Sequence, residues 1–202
     1  MNSKNKMSVQ YLARLAMLLA IVIIFTVFNI ANIPVGPIVA TVYQVPVIIG
    51  ACLLDVKAGA ILGSAWGLLN FWLAITGQTT DVVALTAISE SPFGYFCVSF
   101  LPRLAVGIVA GLLAKLLTKK NSSVSYLVTG AIGSLTNTVG YLGLLYLLFK
   151  HVLASVYSMD ASAVIKMVLS VAGTNGAVEA VVSAILTLAI CKAVNALDRK
   201  KE

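Results

Sequence analysis

"LAMLLAIVIIFTVFNI", Leu15–Ile30, is a run of sixteen residues without a charged side chain. With the residues before it, it extends to Val9–Ile30, interrupted only by Arg14. A helix over that span is about 33 Å long at ~1.5 Å per residue, enough to cross a hydrocarbon core of roughly 30 Å. The run leads into Asn32-Ile-Pro-Val-Gly-Pro37 rather than a small-residue cleavage site, so it reads as a retained helix and not a secretory signal. Similar runs recur along the chain, at Val42–Leu54, Ala58–Thr76, Phe93–Leu117, Ser125–Phe149 and Ala163–Leu197. The composition agrees: 60% of the 202 residues are hydrophobic, only 10% are charged, and the mean hydropathy is +1.01. A soluble domain of this size has no interior large enough for so much apolar surface. The expectation is an all-α integral membrane protein, one domain over residues 1–202, built as a bundle of six transmembrane helices. The second run is short and follows a Pro/Gly-rich stretch, which implies irregular backbone lined by protein or a cavity. The last run is too long for one simple crossing, so one of its ends should project past the bilayer.

Charge orients the bundle. Six crossings put both termini on one side, and 11 of the 14 basic residues fall there: Lys4, Lys6, Arg14, Lys57, Lys115, Lys119, Lys120, Lys192, Arg199, Lys200 and Lys201. The opposite loops carry Asp81, Glu90, Lys150, Asp160 and Lys166. The positive-inside tendency makes both termini cytoplasmic, in a multi-pass protein of the plasma membrane. The net charge of +7 then reflects contact with anionic lipid headgroups. It does not point to nucleic acid, because the basic residues form short flanks without interleaved aromatics. Three scattered cysteines, Cys52, Cys97 and Cys191, give no disulfide framework and read as packing. Glycines spaced by four residues (Gly59, Gly63 and Gly67; Gly107 and Gly111) suit close helix approach.

Polar groups inside spans are expensive and therefore informative. In "SFLPRLAVGIV" (Ser99–Val109), Arg103 lies ten residues in from Phe93, near mid-membrane. Asn137 sits midway along the fifth run. Asn175 and Glu179 share a helical face in the sixth, as Trp66 and Asn70 do in the third. Convergence at one depth implies a central cavity open to the outside, with Trp66, Tyr141 and other aromatics as walls. Two readings of Arg103 stand open. It could pair with Glu179 as a structural salt bridge, or its planar fork could take the carboxylate of a small organic anion. Catalytic motifs, metal-ligand spacings and a P-loop are absent, so neither an enzyme nor a resident cofactor is expected. Any ATP-driven step must come from other subunits.

Several segments together resemble the substrate-binding membrane subunits (S-components) of energy-coupling factor (ECF) vitamin transporters. They are "PVGPIVATVYQVPVIIGACLLDVKAGAILGSAWGLLNF" (Pro34–Phe71), "FLPRLAVGIVAGLLAKLL" (Phe100–Leu117) and "TNGAVEAVVSAILT" (Thr174–Thr187), and they look most like the branch containing pantothenate carriers. The spacing Ala13-Arg-Leu-Ala16-Met-Leu-Leu-Ala20 is similar to the family's small-xxx-small face. The resemblance implies that Ala16 and Ala20 meet a transmembrane coupling subunit, which works with two cytosolic ATPases. It also implies a vitamin ligand, with pantothenate the expected one, captured from outside beneath a first-loop lid containing Pro34, Gly36 and Pro37. Its carboxylate would go to Arg103 and its hydroxyl and amide groups to Asn137, Asn175 and Asn70, with Gln44 in the first loop, where many relatives carry a histidine, as a further contact. Glu179 would orient the arginine or hydrogen-bond while protonated. The alternatives are a carrier of another vitamin or precursor (hydroxymethylpyrimidine, riboflavin) and an autonomous secondary carrier with Glu179 as its proton site.

Overall fold

The computed structural model describes residues 9–35, 38–117 and 122–199. Lys4, Lys6, Gly36, Pro37, Lys119, Lys120, Lys200 and Lys201 lie outside them. Five helices are long and apolar enough to cross a membrane: α1 (Val9–Phe28), α3 (Val56–Ile75), α5 (Pro92–Leu117), α6 (Ser122–Val156) and α7 (Ala161–Arg199). Their outer faces expose Phe28, Leu68, Leu147 and Val181, a surface made for lipid.

The second expected span differs. Its helix, α2 (Val45–Leu53), has nine residues and spans only about 13 Å. The Pro/Gly-rich stretch before it folds as an antiparallel hairpin, β1 (Asn32–Val35) with β2 (Ile38–Thr41), registered Asn32 to Thr41 and Val35 to Ile38. The all-helical bundle therefore carries one small β element. Val35, Ile38 and Val39 make the segment β-prone, while Pro46 fixes the first turn of α2. A second short helix, α4 (Val82–Glu90), fills the connection between α3 and α5. Asp81 caps it, accepting hydrogen bonds from the backbone N–H groups of Val83 and Ala84 at 2.9 and 3.2 Å. Helix α6 continues past its expected end, but its backbone breaks at Phe149 (φ −131°, ψ 29°). The 39-residue α7 outruns a bilayer thickness, in keeping with its excessive apolar run.

Helices α3 and α5 approach at backbone distance. A Cβ placed on Gly59 would lie 2.5 Å from the Gly107 carbonyl oxygen, and one on Gly63 would lie 2.2 Å from that of Arg103. The glycine spacing thus has a packing role, and it seats the backbone of Arg103 directly on α3. Two polar contacts level the ends of the bundle. Arg14 Nη2 meets Asp198 Oδ1 at 2.6 Å, so the start of α1 and the end of α7 lie together. Tyr11 Oη donates to Asp55 Oδ1 at 3.1 Å, which brings the end of α2 to the same level. At the opposite end His151 on α6 contacts Glu90 on α4. Cys191 is fully buried and Cys52 packs into the same apolar cluster, as the packing reading expects.

Candidate functional site

Between these helices lies a cavity of about 460 Å³, within the range of small-molecule pockets. Its lining includes the end of α1, Asn32 and Thr41 of the hairpin, and the loop Gln78–Asp81. The walls hold Trp66 and Asn70 from α3, Arg103 and Tyr95 from α5, Asn137 and Tyr141 from α6, and Asn175 and Glu179 from α7. Of the eight ligand-site candidates read from the sequence, seven therefore line one space. The eighth, Gln44, is wholly buried behind it. Its Nε2 donates to the Thr41 carbonyl and to Ser134 and Ser183 Oγ at 3.1, 3.1 and 3.2 Å, tying the hairpin to α6 and α7.

Arg103 is 8% exposed, and its setting follows from the residue before it. Pro102 sits inside α5 and has no N–H to give the carbonyl four residues back, which is Val98. Arg103 Nη1 donates to that carbonyl at 2.8 Å. The guanidinium carbon lies 5.2 Å from the centre of the Trp66 ring and 4.7 Å from that of Tyr141. Tyr43 stacks on Trp66 at 6.3 Å in turn, extending the aromatic wall. Cation–π contacts of this kind offset part of the desolvation of the guanidinium, but its Nε has no hydrogen-bond partner among the described residues. No ion pair joins Arg103 to Glu179. Glu179 instead accepts at Oε1 from Thr41 N (3.1 Å) and Thr41 Oγ1 (2.6 Å), and at Oε2 from Thr138 Oγ1 (3.4 Å). It anchors the hairpin. Asn137 Oδ1 is buried and likewise has no partner among the described residues. Arg103 and Asn137 both line the cavity, so a cationic side chain and an amide border one space, an arrangement suited to a small anion bearing hydroxyl or amide groups.

Comparison with known proteins decides the family. The family model described as the substrate-specific component of ECF transporters matches residues 10–191. This chain belongs to that family. The substrate-specific component is similar to the pantothenic acid transporter PanT of Lactococcus lactis subsp. cremoris, with 30% identity over 164 residues covering 78% of each chain. It is also similar to the pantothenate transporter PanT of Leuconostoc mesenteroides subsp. mesenteroides, 34% identical over 116 residues, 54% of this chain and 53% of that one. The family is one of transporters, so the protein is a multi-pass membrane protein of a transport system and not an enzyme.

Sequence reasoning missed several cavity residues of this substrate-specific component. Thr41 and Asp81 both line the cavity. The first was hidden because nothing in "IVAT" announces that its strand closes on α7. The second carried a legible signal: an aspartate directly before "VVALTAISE" marks a helix start, and that helix brings the loop over the cavity. Ala16 and Ala20 lie outside the cavity, on an exposed face of α1 together with Ala13.

Proposed function

We propose that this chain is the high-affinity pantothenate-binding subunit of an ECF-type transporter. It works with a transmembrane coupling subunit and two ATPases, and Ala16 and Ala20 form the face that meets the coupling subunit. The observation that carries the reading is Arg103: a buried guanidinium in a cavity of ligand size, hydrogen-bonded to the Val98 carbonyl and, among the described residues, ion-paired with no carboxylate. A ligand carboxylate neutralises it and takes its remaining N–H groups in plane. The hydroxyl and amide groups of pantothenate then reach Asn137, Asn175 and Asn70, with Trp66 and Tyr141 against its apolar middle. The names of the two relatives support the same ligand.

The topology that suits this role is a single domain of six crossings. The contact between the start of α1 and the end of α7 supports an even number of crossings, one more than the five helices among the described residues that are long enough to cross. In this reading the hairpin and α2 form the sixth, which the contact of Tyr11 with Asp55 at the end of α2 supports. The basic flanks favour cytoplasmic termini, which turns the loop Gln78–Asp81 in the cavity lining outward.

Titration calorimetry of the purified chain against pantothenate and against panthenol, its alcohol analogue, tests the assignment. One-to-one binding is expected, with panthenol at least about 30-fold weaker, the loss of roughly 2 kcal/mol from an unpaired buried charge. Equal affinities, or a different vitamin found by mass spectrometry in the purified protein, would overturn it. Uptake by liposomes without ATPase subunits would favour a secondary carrier.

A further inference from the structure

The charges around the cavity are unequal. Among the described residues that line it, Arg103 is the one cation, while Asp81 and Glu179 are carboxylates. A single ligand carboxylate therefore takes all of the positive charge that the lining offers. A second anionic group on the same ligand finds no cation there, and what it meets instead depends on how the two carboxylates are already engaged.

Glu179 is the more fully engaged. It is buried, and Thr41 N, Thr41 Oγ1 and Thr138 Oγ1 donate to it. Asp81 is exposed, in the connection between α3 and α4. Its Oδ1 accepts from the N–H groups of Val83 and Ala84 at 2.9 and 3.2 Å, and its backbone carbonyl accepts from Leu85 N at 3.0 Å. Among the described residues its Oδ2 makes no hydrogen bond. Two consequences follow from this arrangement. The start of α4, where free N–H groups would favour a phosphate, is filled by the chain's own carboxylate. The charge of Asp81 also acts on Arg103, Tyr95 and Tyr141, which line the same cavity from α5 and α6. A ligand seated on Arg103 therefore lies within that field.

We propose that Asp81 makes the cavity selective for monoanions. Ligands with one carboxylate and otherwise neutral hydroxyl and amide groups are accepted, and those with a second anionic group, phosphate esters above all, are rejected. Asn70, Asn137 and Asn175 in the lining offer neutral donors and acceptors to the rest of an accepted ligand. Rejection by an unpaired like charge is specificity obtained by penalising the wrong ligand. A phosphate monoester adds a charge of about −1.5 to −2 near neutral pH. An exposed carboxylate acts through water and protein together, so each added charge should weaken binding on the order of tenfold. The inference rests on the pantothenate reading for its choice of ligand: the free vitamin is taken and its phosphorylated form is not.

Titration calorimetry of the purified chain with three ligands tests it. They are pantothenate, its phosphate monoester at the terminal hydroxyl, and the acetate ester at that hydroxyl, which adds bulk without charge. The phosphate ester should bind at least about 30-fold more weakly than the acetate ester, between one and two added charges at that scale. Asp81→Asn keeps a good helix cap, so its melting temperature should hold while the gap between the two esters narrows about tenfold. Asp81→Ser, a second uncharged cap, should narrow it equally, and Asp81→Glu should preserve it. Equal affinities for the two esters in the unmodified chain, or a gap that persists in both uncharged variants, would overturn the proposal. Failure of pantothenate itself to bind is a separate result: it would remove the reading beneath the inference, and the inference with it.

Discussion

Arg103 Nη1 and the Val98 carbonyl are 2.8 Å apart, and that hydrogen bond exists because residue 102 is a proline. An interior proline costs a helix about 3 kcal/mol, yet here the freed acceptor is returned to use as a clamp on the neighbouring guanidinium. The fork is held against the Trp66 and Tyr141 rings before any ligand arrives, and such preorganisation lowers the entropy lost on binding. Pro102→Ala restores an N–H that competes for the Val98 carbonyl. The variant should melt at the same temperature or higher while binding pantothenate about tenfold more weakly, the ~1.4 kcal/mol scale of one charge-assisted hydrogen bond. Calorimetry beside a melting curve checks the opposite signs. Unchanged affinity would mean that Val98 does not position the arginine.

Because Glu179 bonds to Thr41 and Thr138 and forms no ion pair with Arg103, substitutions at the two sites should act separately. Arg103→Ala should weaken pantothenate binding by roughly 2–5 kcal/mol. Arg103→Lys should also lose much of the affinity, since it keeps the charge without the planar fork. The Arg103→Met/Glu179→Met double variant should show no recovery in binding or in melting temperature. A coupling energy above about 1 kcal/mol in the double-mutant cycle would reinstate the structural salt bridge.

The two polar residues illustrate what the sequence could and could not disclose. Arginine and glutamate in apolar helices mark themselves as functional candidates, and helical spacing brings Asn175 and Glu179 to one face without any structure. Which groups they meet depends on side-chain reach across elements far apart in sequence. Thr41 lies 138 residues from Glu179, and no local pattern links them. The long helices were legible from apolar length alone. The hairpin was not, because its Pro and Gly residues are equally consistent with irregular backbone, and the nine-residue α2 leaves a run too short to distinguish a strand, a helix or both.

Thr41 and Glu179 together latch the hairpin to α7 in the wall of the cavity. Thr41→Val removes the 2.6 Å hydroxyl contact and leaves the backbone N–H bond in place. Dissociation of pantothenate should accelerate about tenfold, the loss of one hydrogen bond to a carboxylate, with little change in the association rate. Stopped-flow kinetics following tryptophan fluorescence separates the two. A change confined to association would place the hairpin outside the gate.

Gly63 tests the seat beneath the site. A Cβ there would fall 2.2 Å from the Arg103 carbonyl oxygen, which is backbone and has no rotamer with which to yield. Gly63→Ala must push α5 away from α3 and displace Trp66 relative to Arg103. We expect a loss of about 1–3 kcal/mol in stability, typical of overpacking, together with weakened binding. By contrast Gly143, with nothing within 4 Å of an added Cβ, should accept alanine without penalty in the same melting assay.

The outer face of α1 separates binding from transport. Ala13, Ala16 and Ala20 are exposed, and only 11% of the most apolar window of α1 is buried within the chain. A strip of small side chains on a helix that gives so little of its surface to its own bundle suits the close approach of another helix. Ala16→Trp and Ala20→Trp place a large ring on that strip, outside the cavity lining, so the isolated subunit should bind pantothenate with unchanged affinity. In cells that supply the coupling subunit and ATPases, uptake should fall to background, because the ring holds the partner helix away. Pull-down of the coupling subunit provides the direct readout and should fail in parallel with uptake. Loss of ligand binding together with uptake would show that α1 uses these alanines within its own bundle, and normal uptake by both variants would move the partner surface elsewhere.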